Sequence, residues 1–215
     1  MIINRLVAPL MLAITLALPA SVTHAVESSS NFVVTSNYVF RGQTQTNDGS
    51  AVQVNYDLAQ SEDEGWYTGA FASTVNKGLE LDLFAGWKGT FKNKANMGYD
   101  VGAIMYKYTD NNFSSDVTEI YGGINYETAY VKLYNGSGAG IEAYNYLDFG
   151  ASFVVMDDID LDLHYGHYLN SAGTNDLSAN IAIEVKDFDV GLGVTYEDAG
   201  AKNDIEFFVT VGKTF

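Results

Sequence analysis

Apolar and polar residues alternate with a period of two along most of the chain. In the clearest stretch, Leu79, Leu81 and Leu83 share one parity, while Glu80 and Asp82 occupy the other. A period of two is typical of a β-strand, whose successive side chains point to opposite faces, whereas a helix repeats every ~3.6 residues. The pattern therefore predicts strands with one apolar and one polar face.

Twelve such segments follow one another from residue 31 to the end of the chain, separated by turn residues. No helix is needed to account for them. They predict an all-β protein with a single antiparallel up-and-down barrel of about twelve strands, a transmembrane barrel if its apolar face contacts lipid. The third segment is ambiguous, with Tyr67, Phe71 and Val75 on its more apolar side. The segments are 31–41, 51–58, 66–75, 79–88, 97–108, 118–126, 129–135, 145–154, 161–168, 176–185, 189–196 and 207–215.

The last segment ends the chain on an aromatic residue. Phe207, Val209, Val211 and Phe215 share one parity. A terminus that is not tied down normally frays, so a strand that runs to the final residue predicts a terminus paired within a sheet. The closing strands of bacterial outer-membrane barrels resemble this pattern, which makes Phe215 a candidate signal for the barrel-assembly machinery. The alternative is an ordinary core strand that happens to end in phenylalanine.

Alternation alone does not say which face is inside, because a soluble sandwich would bury the apolar parity that a membrane barrel exposes to lipid. The N-terminus favours the membrane. It has Arg5 near the start, an apolar run from Leu6 to Leu18 and small residues before Ala25. The run is shorter than the ~20 residues of a transmembrane helix, so residues 1–25 are expected to be a secretory signal peptide, with an uncleaved anchor as the alternative. We therefore expect residues 26–215 to form a barrel domain in the lipid of the cell outer membrane.

The connections between segments differ in length. Those after even segments tend to be short, as at 127–128 and 186–188, whereas several after odd segments are longer, at 42–50, 109–117 and 136–144; the link 76–78 is an exception. Short periplasmic turns and longer external loops are typical of bacterial membrane barrels. Aromatic residues near segment ends resemble the girdles of such barrels. They are Tyr38, Phe40, Trp87, Tyr126, Tyr196 and Phe215.

Composition narrows the classes of partner. The chain has 27 acidic and 11 basic residues, a formal charge of −16, and no cysteine. Nucleic acid is not an expected partner, because its binding depends on a basic surface. Without cysteine, neither disulfides nor thiolate chemistry are available. Small cations are the expected companions.

If the apolar parity faces lipid, the polar parity lines the lumen and is rich in carboxylates, which favour cations in channels. The sequence then predicts a porin-like channel for passive diffusion of small solutes or ions, with cation preference. The bore should be a narrow channel or nearly closed, because about twelve strands lie between the filled barrel of about eight and the open porin of about sixteen. The alternative is a non-conducting structural or ligand-binding barrel whose polar residues only brace the wall. The predicted lumen-lining residues are Arg41, Asn55, Asp57, Glu80, Asp82, Lys88, Asp100, Glu119, Tyr121, Lys132, Asp148, Asp162, His164, Glu184 and Glu206.

Enzyme chemistry has little support in the sequence. His164 and His167 are three residues apart and therefore lie on opposite faces of a strand. A lipid-modifying enzyme that uses His167 and Ser171 is the remaining enzyme hypothesis, but no nucleophile–base–orienter set is recognisable. Three glycines between 136 and 140 lack the following helix of a phosphate site and are expected in a mobile external loop. We predict no catalytic residue, no cofactor and no metal site.

Several stretches carry a resemblance to a known family. They are 36–43 (SNYVFRGQ), 79–87 (LELDLFAGW), 98–102 (GYDVG) and 119–123 (EIYGG). On these stretches the chain resembles the TorF-type porins, outer-membrane proteins first catalogued as a conserved hypothetical family. The resemblance extends over the mature chain, although residues 43–45 depart from the family pattern. It implies a porin-like barrel with no particular solute, and it leaves the oligomeric state open.

Overall fold

The computed structural model describes residues 26–92, 96–109, 116–157, 159–169, 174–198 and 203–215. The predicted signal peptide, residues 1–25, lies outside them. Regular structure within the described residues is β. The strands are β1 (Glu27–Thr35), β2 (Val39–Phe40), β3 (Gln43–Thr44), β4 (Ala51–Ala59), β5 (Gly65–Val75), β6 (Gly78–Thr90), β7 (Met97–Tyr108), β8 (Val117–Tyr126), β9 (Ala129–Gly138), β10 (Ile141–Met156), β11 (Ile159–Tyr168), β12 (Asn175–Val185), β13 (Phe188–Asp198) and β14 (Asn203–Thr214).

Twelve of these strands close into one antiparallel barrel, while β2 and β3 form a separate hairpin. The barrel closes where β1 meets β14, with Thr35 opposite Thr210. The last residue takes part in this seam. The Phe215 amide donates to the Ser30 carbonyl at 2.8 Å, and the Ser30 amide donates to the Phe215 carbonyl at 3.2 Å. The predicted fold and the paired terminus are both confirmed.

The outside of the barrel is apolar and the inside is polar. On β6, Leu79 is 50% exposed and Leu81 41%, whereas Glu80 is 1% and Asp82 4% exposed. Large apolar side chains are likewise exposed on the outer faces of most other barrel strands. Such an outer face suits lipid, and a soluble barrel would have the reverse arrangement. The soluble-sandwich alternative is therefore wrong.

Strand β5 departs from the rule that the more apolar parity faces outward. Phe71 lies opposite Asp82 of β6, and residues directly opposite each other share a face of the sheet. Tyr67 and Val75 have the same parity as Phe71, so this more apolar side points into the lumen. The outer side carries small residues such as Ala70 and Ala72. The register with the neighbouring strands decides which side chains of β5 face the lumen. A slip of one residue would move every side chain of β5, or every side chain of β6, to the opposite face of the sheet.

The prediction of a mobile external loop over residues 136–144 is wrong. Strand β9 continues to Gly138 and β10 begins at Ile141, so only two residues form the turn. Gly140 has a φ of 80°, a left-handed conformation that suits glycine in a tight turn. Gly136 lies beneath the ring of Tyr144, where a Cβ atom would collide with the ring. These glycines are strand and turn positions that let the two strands pair to their ends.

Both termini of the barrel lie at one end, which we call the terminus end; the opposite end is the loop end. Two-residue turns 127–128 and 186–187 lie at the terminus end. The loop end holds the longest connection, residues 36–50, but also the two-residue turns 76–77 and 139–140. The predicted length asymmetry therefore rests on two connections, residues 36–50 and the eight residues between β7 and β8. The described residues include no helix that is long and apolar enough to span a membrane.

Candidate functional site in the barrel lumen

The connection between β1 and β4, residues 36–50, folds into the lumen, and we call it the inner loop. Its base is held by Asn37, whose Oδ1 accepts hydrogen bonds from Thr44 Oγ1 at 2.6 Å and Thr46 Oγ1 at 3.0 Å. The side-chain nitrogen of Asn37, Nδ2, donates to Glu206 Oε2 of β14 at 2.9 Å. Because Asn37 is buried and bonded on both sides, it fixes the inner loop to the wall.

The inner loop corrects the prediction of a first strand over 31–41. Strand β1 ends at Thr35. The Thr35 hydroxyl donates to the Asn37 carbonyl at 2.7 Å, so this carbonyl is bonded to a side chain and not to a neighbouring strand. Tyr38 and Phe40, expected in the aromatic girdles, lie inside instead. The Tyr38 ring is 6.0 Å from that of Phe71, and the Phe40 ring contacts Tyr106.

A tight turn carries the tip of the inner loop to the far wall. Arg41 and Gly42 have φ values of 48° and 82°, both in the left-handed region. A Cβ atom on Gly42 would lie 2.9 Å from Cβ of Glu197 and 3.0 Å from Cβ of Asp176. Only glycine fits this approach without displacing β12 or β13. Arg41 thus lies in the lumen, as predicted, but on the inner loop and not on a strand.

Arg41 and Glu119 of β8 form a buried ion pair in the middle of the lumen. Arg41 Nη1 donates to Oε1 at 2.6 Å and Nη2 donates to Oε2 at 3.0 Å, a bidentate arrangement. The two side chains are 8% and 0% exposed. Tyr106 and Tyr144 also donate to Glu119, at 2.9 and 2.7 Å. The Arg41 guanidinium lies 4.0 Å from the ring centre of Tyr146. These contacts offset the cost of removing both charges from water.

His164 of β11 joins two carboxylates on the neighbouring wall. Its Nε2 lies 2.7 Å from Asp176 Oδ1, and its Nδ1 lies 3.0 Å from Asp148 Oδ1. Tyr146 also donates to Asp176, at 2.9 Å to Oδ2. Asp176 is almost completely buried. The cluster therefore holds one imidazole between two carboxylates.

A third contact network lies nearer the terminus end. Lys132 Nζ donates to Asp100 Oδ2 at 2.6 Å, and Tyr67 donates to Asp100 Oδ1 at 2.5 Å. The hydroxyls of Tyr67 and Tyr121 are also 2.5 Å apart. Lys132 is consequently neutralised by Asp100, in the same way that Arg41 is neutralised by Glu119.

Glu80 and Asp82 of β6 are buried without a basic partner among the described residues. Tyr108 donates to Glu80 Oε1 at 2.9 Å, but Glu80 Oε2 and Asp82 Oδ1 have no hydrogen-bond partner in the described part of the chain. Buried carboxylate oxygens normally have partners, so this part of the lumen wall is incompletely hydrogen-bonded.

The other predicted lumen residues lie nearer the barrel ends. Asp57 accepts a hydrogen bond from Asn55, and Asp162 accepts one from Ser152 Oγ at 2.6 Å. Lys88 lines the terminus-end opening. Glu184 is exposed at the terminus end, and Glu206 lies at the loop end beside the inner loop.

Two lumen acids were missed by the sequence prediction. Asp176 shares the parity of Ser178 and Asn180, and it lay at the first position of a predicted segment. Glu197, which accepts a 2.6 Å hydrogen bond from Gln43 of the inner loop, followed a segment that was predicted to end at 196. Parity applied from the first position of its segment would have found Asp176, and parity extended by one residue beyond 196 would have found Glu197.

Two adjoining cavities occupy the lumen. One, of about 530 Å³, lies between the inner loop and the wall, and we call it the central cavity. The other, of about 930 Å³, opens at the terminus end. Tyr130 and Lys132 line both. The walls of the central cavity include Arg41, Tyr134, Tyr146, Asp162, His164 and Asn180.

Of the two residues of the enzyme hypothesis, only His167 lies among the described residues. His167 Nδ1 lies 2.8 Å from Asn175 Oδ1, on the opposite strand face from His164. Ser171 falls outside the described residues. No group of three or more histidine, aspartate or glutamate side chains with metal-binding geometry is found in the described ranges.

Solved structures with a similar fold are outer-membrane porins and channels. A KdgM porin superposes with a TM-score of 0.63 at 9% identity, covering 87% of this chain and 99% of the porin. The KdgM porin in complex with disordered oligogalacturonate gives 0.61 at 10% identity, with 87% and 99% coverage. The COG4313 outer membrane channel from Pseudomonas putida F1 gives 0.56 at 12% identity, with 93% and 97% coverage. At these identities the likeness shows the fold, which is that of an outer-membrane β-barrel.

Comparison with curated protein sequences found no match. A protein-family model does match, over residues 19–214, which is nearly the whole chain. Its description is "Bacterial protein of unknown function (Gcw_chp)". The chain therefore belongs to the Gcw_chp family of bacterial proteins.

Proposed function

We propose that this protein is an outer-membrane channel for passive diffusion of small solutes or ions, and that it prefers cations. The observation that carries the proposal is the charge of the lumen wall. Arg41, Lys132 and His164 each contact a carboxylate already. Further acids then remain to act on solutes, and carboxylates around a confined aqueous path attract cations and repel anions.

The acids best placed for this role keep some contact with water and have neutral partners. Asp57 is bonded to Asn55 and Asp162 to Ser152, and neither acid belongs to an ion pair among the described residues. Lys88 lines a cavity together with Asp57 but forms no ion pair with it in the described part of the chain, so neither acid is neutralised by direct contact. Glu119 has a different role, because its charge is cancelled by Arg41 and its side chain is wholly buried.

The inner loop limits the size of the solute. Its tip closes the central cavity on the loop side, since residues 39–42 line that cavity and Arg41 is held at Glu119. The expected conductance is therefore small. The KdgM complex contains oligogalacturonate, a polyanion, which an acidic lumen would repel, so this ligand is not expected in the present chain.

Export and membrane assembly complete the proposal. Residues 1–25 have the pattern of a signal peptide, the outer face suits lipid, and the sequence resembles the TorF-type porins. The test of location is fractionation of cells followed by electrophoresis with and without boiling. A heat-modifiable band in the outer-membrane fraction is expected, and a soluble periplasmic protein would contradict the proposal.

The test of function is ion selectivity in a planar bilayer under a KCl gradient. We expect small conductance steps and a reversal potential biased to K⁺, and the bias should weaken as salt shortens the ~8–10 Å Debye length. Asp57→Asn with Asp162→Asn should reduce the preference for K⁺. Neither substitution removes the ion-pair partner of a basic side chain in the described part of the chain. The matched control is Glu127→Gln with Asp187→Asn, which removes two acids from exposed turns at the terminus end. Anion preference, or an equal effect of both pairs, would refute the charge argument.

A non-conducting, ligand-binding barrel is the second candidate function. The observation that favours it is the burial of Arg41 and Glu119, because a dry ion pair in the middle of the lumen obstructs an aqueous path. The same bilayer experiment separates the two candidates. Correctly folded protein that inserts and never conducts would replace the channel with the binding barrel.

A further inference from the structure

The central cavity combines acids with aromatic rings, which is unusual for a path that serves only inorganic ions. Asp148, Asp162 and Asp176 line it. Rings line it as well, from the inner loop and from strands on several sides of the barrel. They include Phe40, Phe84, Tyr130, Tyr134, Tyr146 and Phe208. Phenylalanine rings facing a polar lumen gain nothing from a hydrated ion, but they gain from contact with C–H groups.

The protein already binds its own cations on these rings. The Arg41 guanidinium lies 4.0 Å from the ring centre of Tyr146 and 5.0 Å from that of Tyr134. Lys132 Nζ lies 5.4 Å from the ring centre of Tyr121 and 5.8 Å from that of Tyr130. These distances are in the range of cation–π attraction. The wall is therefore arranged so that a positive group over a ring has a carboxylate nearby.

The wall of the central cavity also offers hydrogen-bond acceptors to a solute. Asn180 Oδ1 is a buried acceptor on this cavity and has no hydrogen-bond partner among the described residues. Asp162 is bonded to the Ser152 hydroxyl, and no base pairs with it in the described part of the chain. An N–H or O–H donor from a solute would satisfy the Asn180 oxygen.

We infer that the central cavity is a binding site for small organic ammonium solutes that pass through the channel, an inference that rests on the proposed function. The cationic head lies beside the ring of Tyr130 and near Asp162, and a polar tail reaches Asn180, which lies opposite Asp162 on the next strand. The volume of about 530 Å³ admits solutes up to roughly the size of an amino sugar. Acidic solutes are excluded by the same carboxylates.

The probe is choline, compared with its neutral carbon isostere 3,3-dimethylbutan-1-ol. Binding is measured by NMR titration of the refolded protein in detergent micelles, which does not require conduction. Block of the K⁺ current by choline is measured separately in the bilayer. Choline should bind saturably and about ten-fold more tightly than the isostere, since only the ammonium gains from the rings and acids.

Variants locate the site on the wall. Tyr130→Leu should weaken choline binding about 3- to 10-fold, while Tyr130→Phe, which keeps the ring, should not. Asp162→Asn should weaken it, while Glu127→Gln, the same charge change in an exposed turn at the terminus end, should not. Heat-modifiable mobility shows that each variant is folded.

The outcomes separate this inference from the channel proposal. Equal binding of choline and the isostere, or cation-selective conductance without choline binding, would overturn the ammonium site and leave the channel intact. Choline binding that depends on Tyr130 and Asp162 in a protein that never conducts would uphold the site and overturn the channel.

Discussion

The buried pair between Arg41 and Glu119 allows a quantitative prediction about the inner loop. Arg41→Met keeps most of the side-chain volume but removes the charge, and it leaves the Glu119 carboxylate, which is 0% exposed, without its cation. We expect this variant to lower the free energy of unfolding by ~3–5 kcal/mol, the usual cost of breaking a buried ion pair from one side. The double variant Arg41→Met with Glu119→Gln should recover most of the loss.

The magnitude follows from the contacts of Glu119. Tyr106 and Tyr144 still donate to its two oxygens after Arg41 is removed, at 2.9 and 2.7 Å, but two charge-assisted bonds from the guanidinium are lost. Each bond to a charged group contributes about 1.5–3 kcal/mol. A glutamine at 119 carries no charge to desolvate and keeps an acceptor oxygen for one tyrosine, so the double variant avoids the main penalty.

The assay is urea unfolding of the protein in lipid vesicles, followed by the fluorescence of Trp66 and Trp87. Trp87 is 48% exposed on the outer face, so its emission reports transfer out of lipid. The matched control is Lys107→Met, which breaks a pair of 2.7 Å whose side chains are 49% and 54% exposed; it should cost less than about 1 kcal/mol. If Arg41→Met costs no more than this control, or if the double variant is no better than the single one, the inner loop is not held by the buried pair.

Two further predictions concern the outer face and the closing seam. Ile181→Arg places a charge on a side chain that faces outward from β12 and should cost ~2–4 kcal/mol in the same unfolding assay; stability equal to that of the wild type would mean that this position does not face lipid. Deletion of Phe215 should reduce outer-membrane yield and leave protease-sensitive periplasmic protein, because it removes both the terminal ring and its two backbone bonds to Ser30. Phe215→Ala keeps those bonds, so an unchanged yield in this variant would show that the ring is not the assembly signal.

Local sequence was sufficient for the strands and for most of their faces. The alternation around Leu81 and Asp82 decides the faces of β6 whatever pairs with it, because period two is a property of the extended backbone. It also identified most of the acids that the structure places toward the lumen. Tight turns at 127–128 and 186–187 were visible because each separates two alternating segments by very few residues.

Tertiary structure decided the parts that depend on what fills the lumen. The inner loop continues the alternation of β1, so Tyr38 and Phe40 read as outward strand residues; only the distant Glu119, Glu206 and the wall beside Gly42 explain why they turn inward. The faces of β5 were likewise decided by its register with β6. Alternation is encoded between adjacent residues, and the chain shows it by itself. The partner of Arg41 is 78 residues away, and that distance is closed only when the barrel closes.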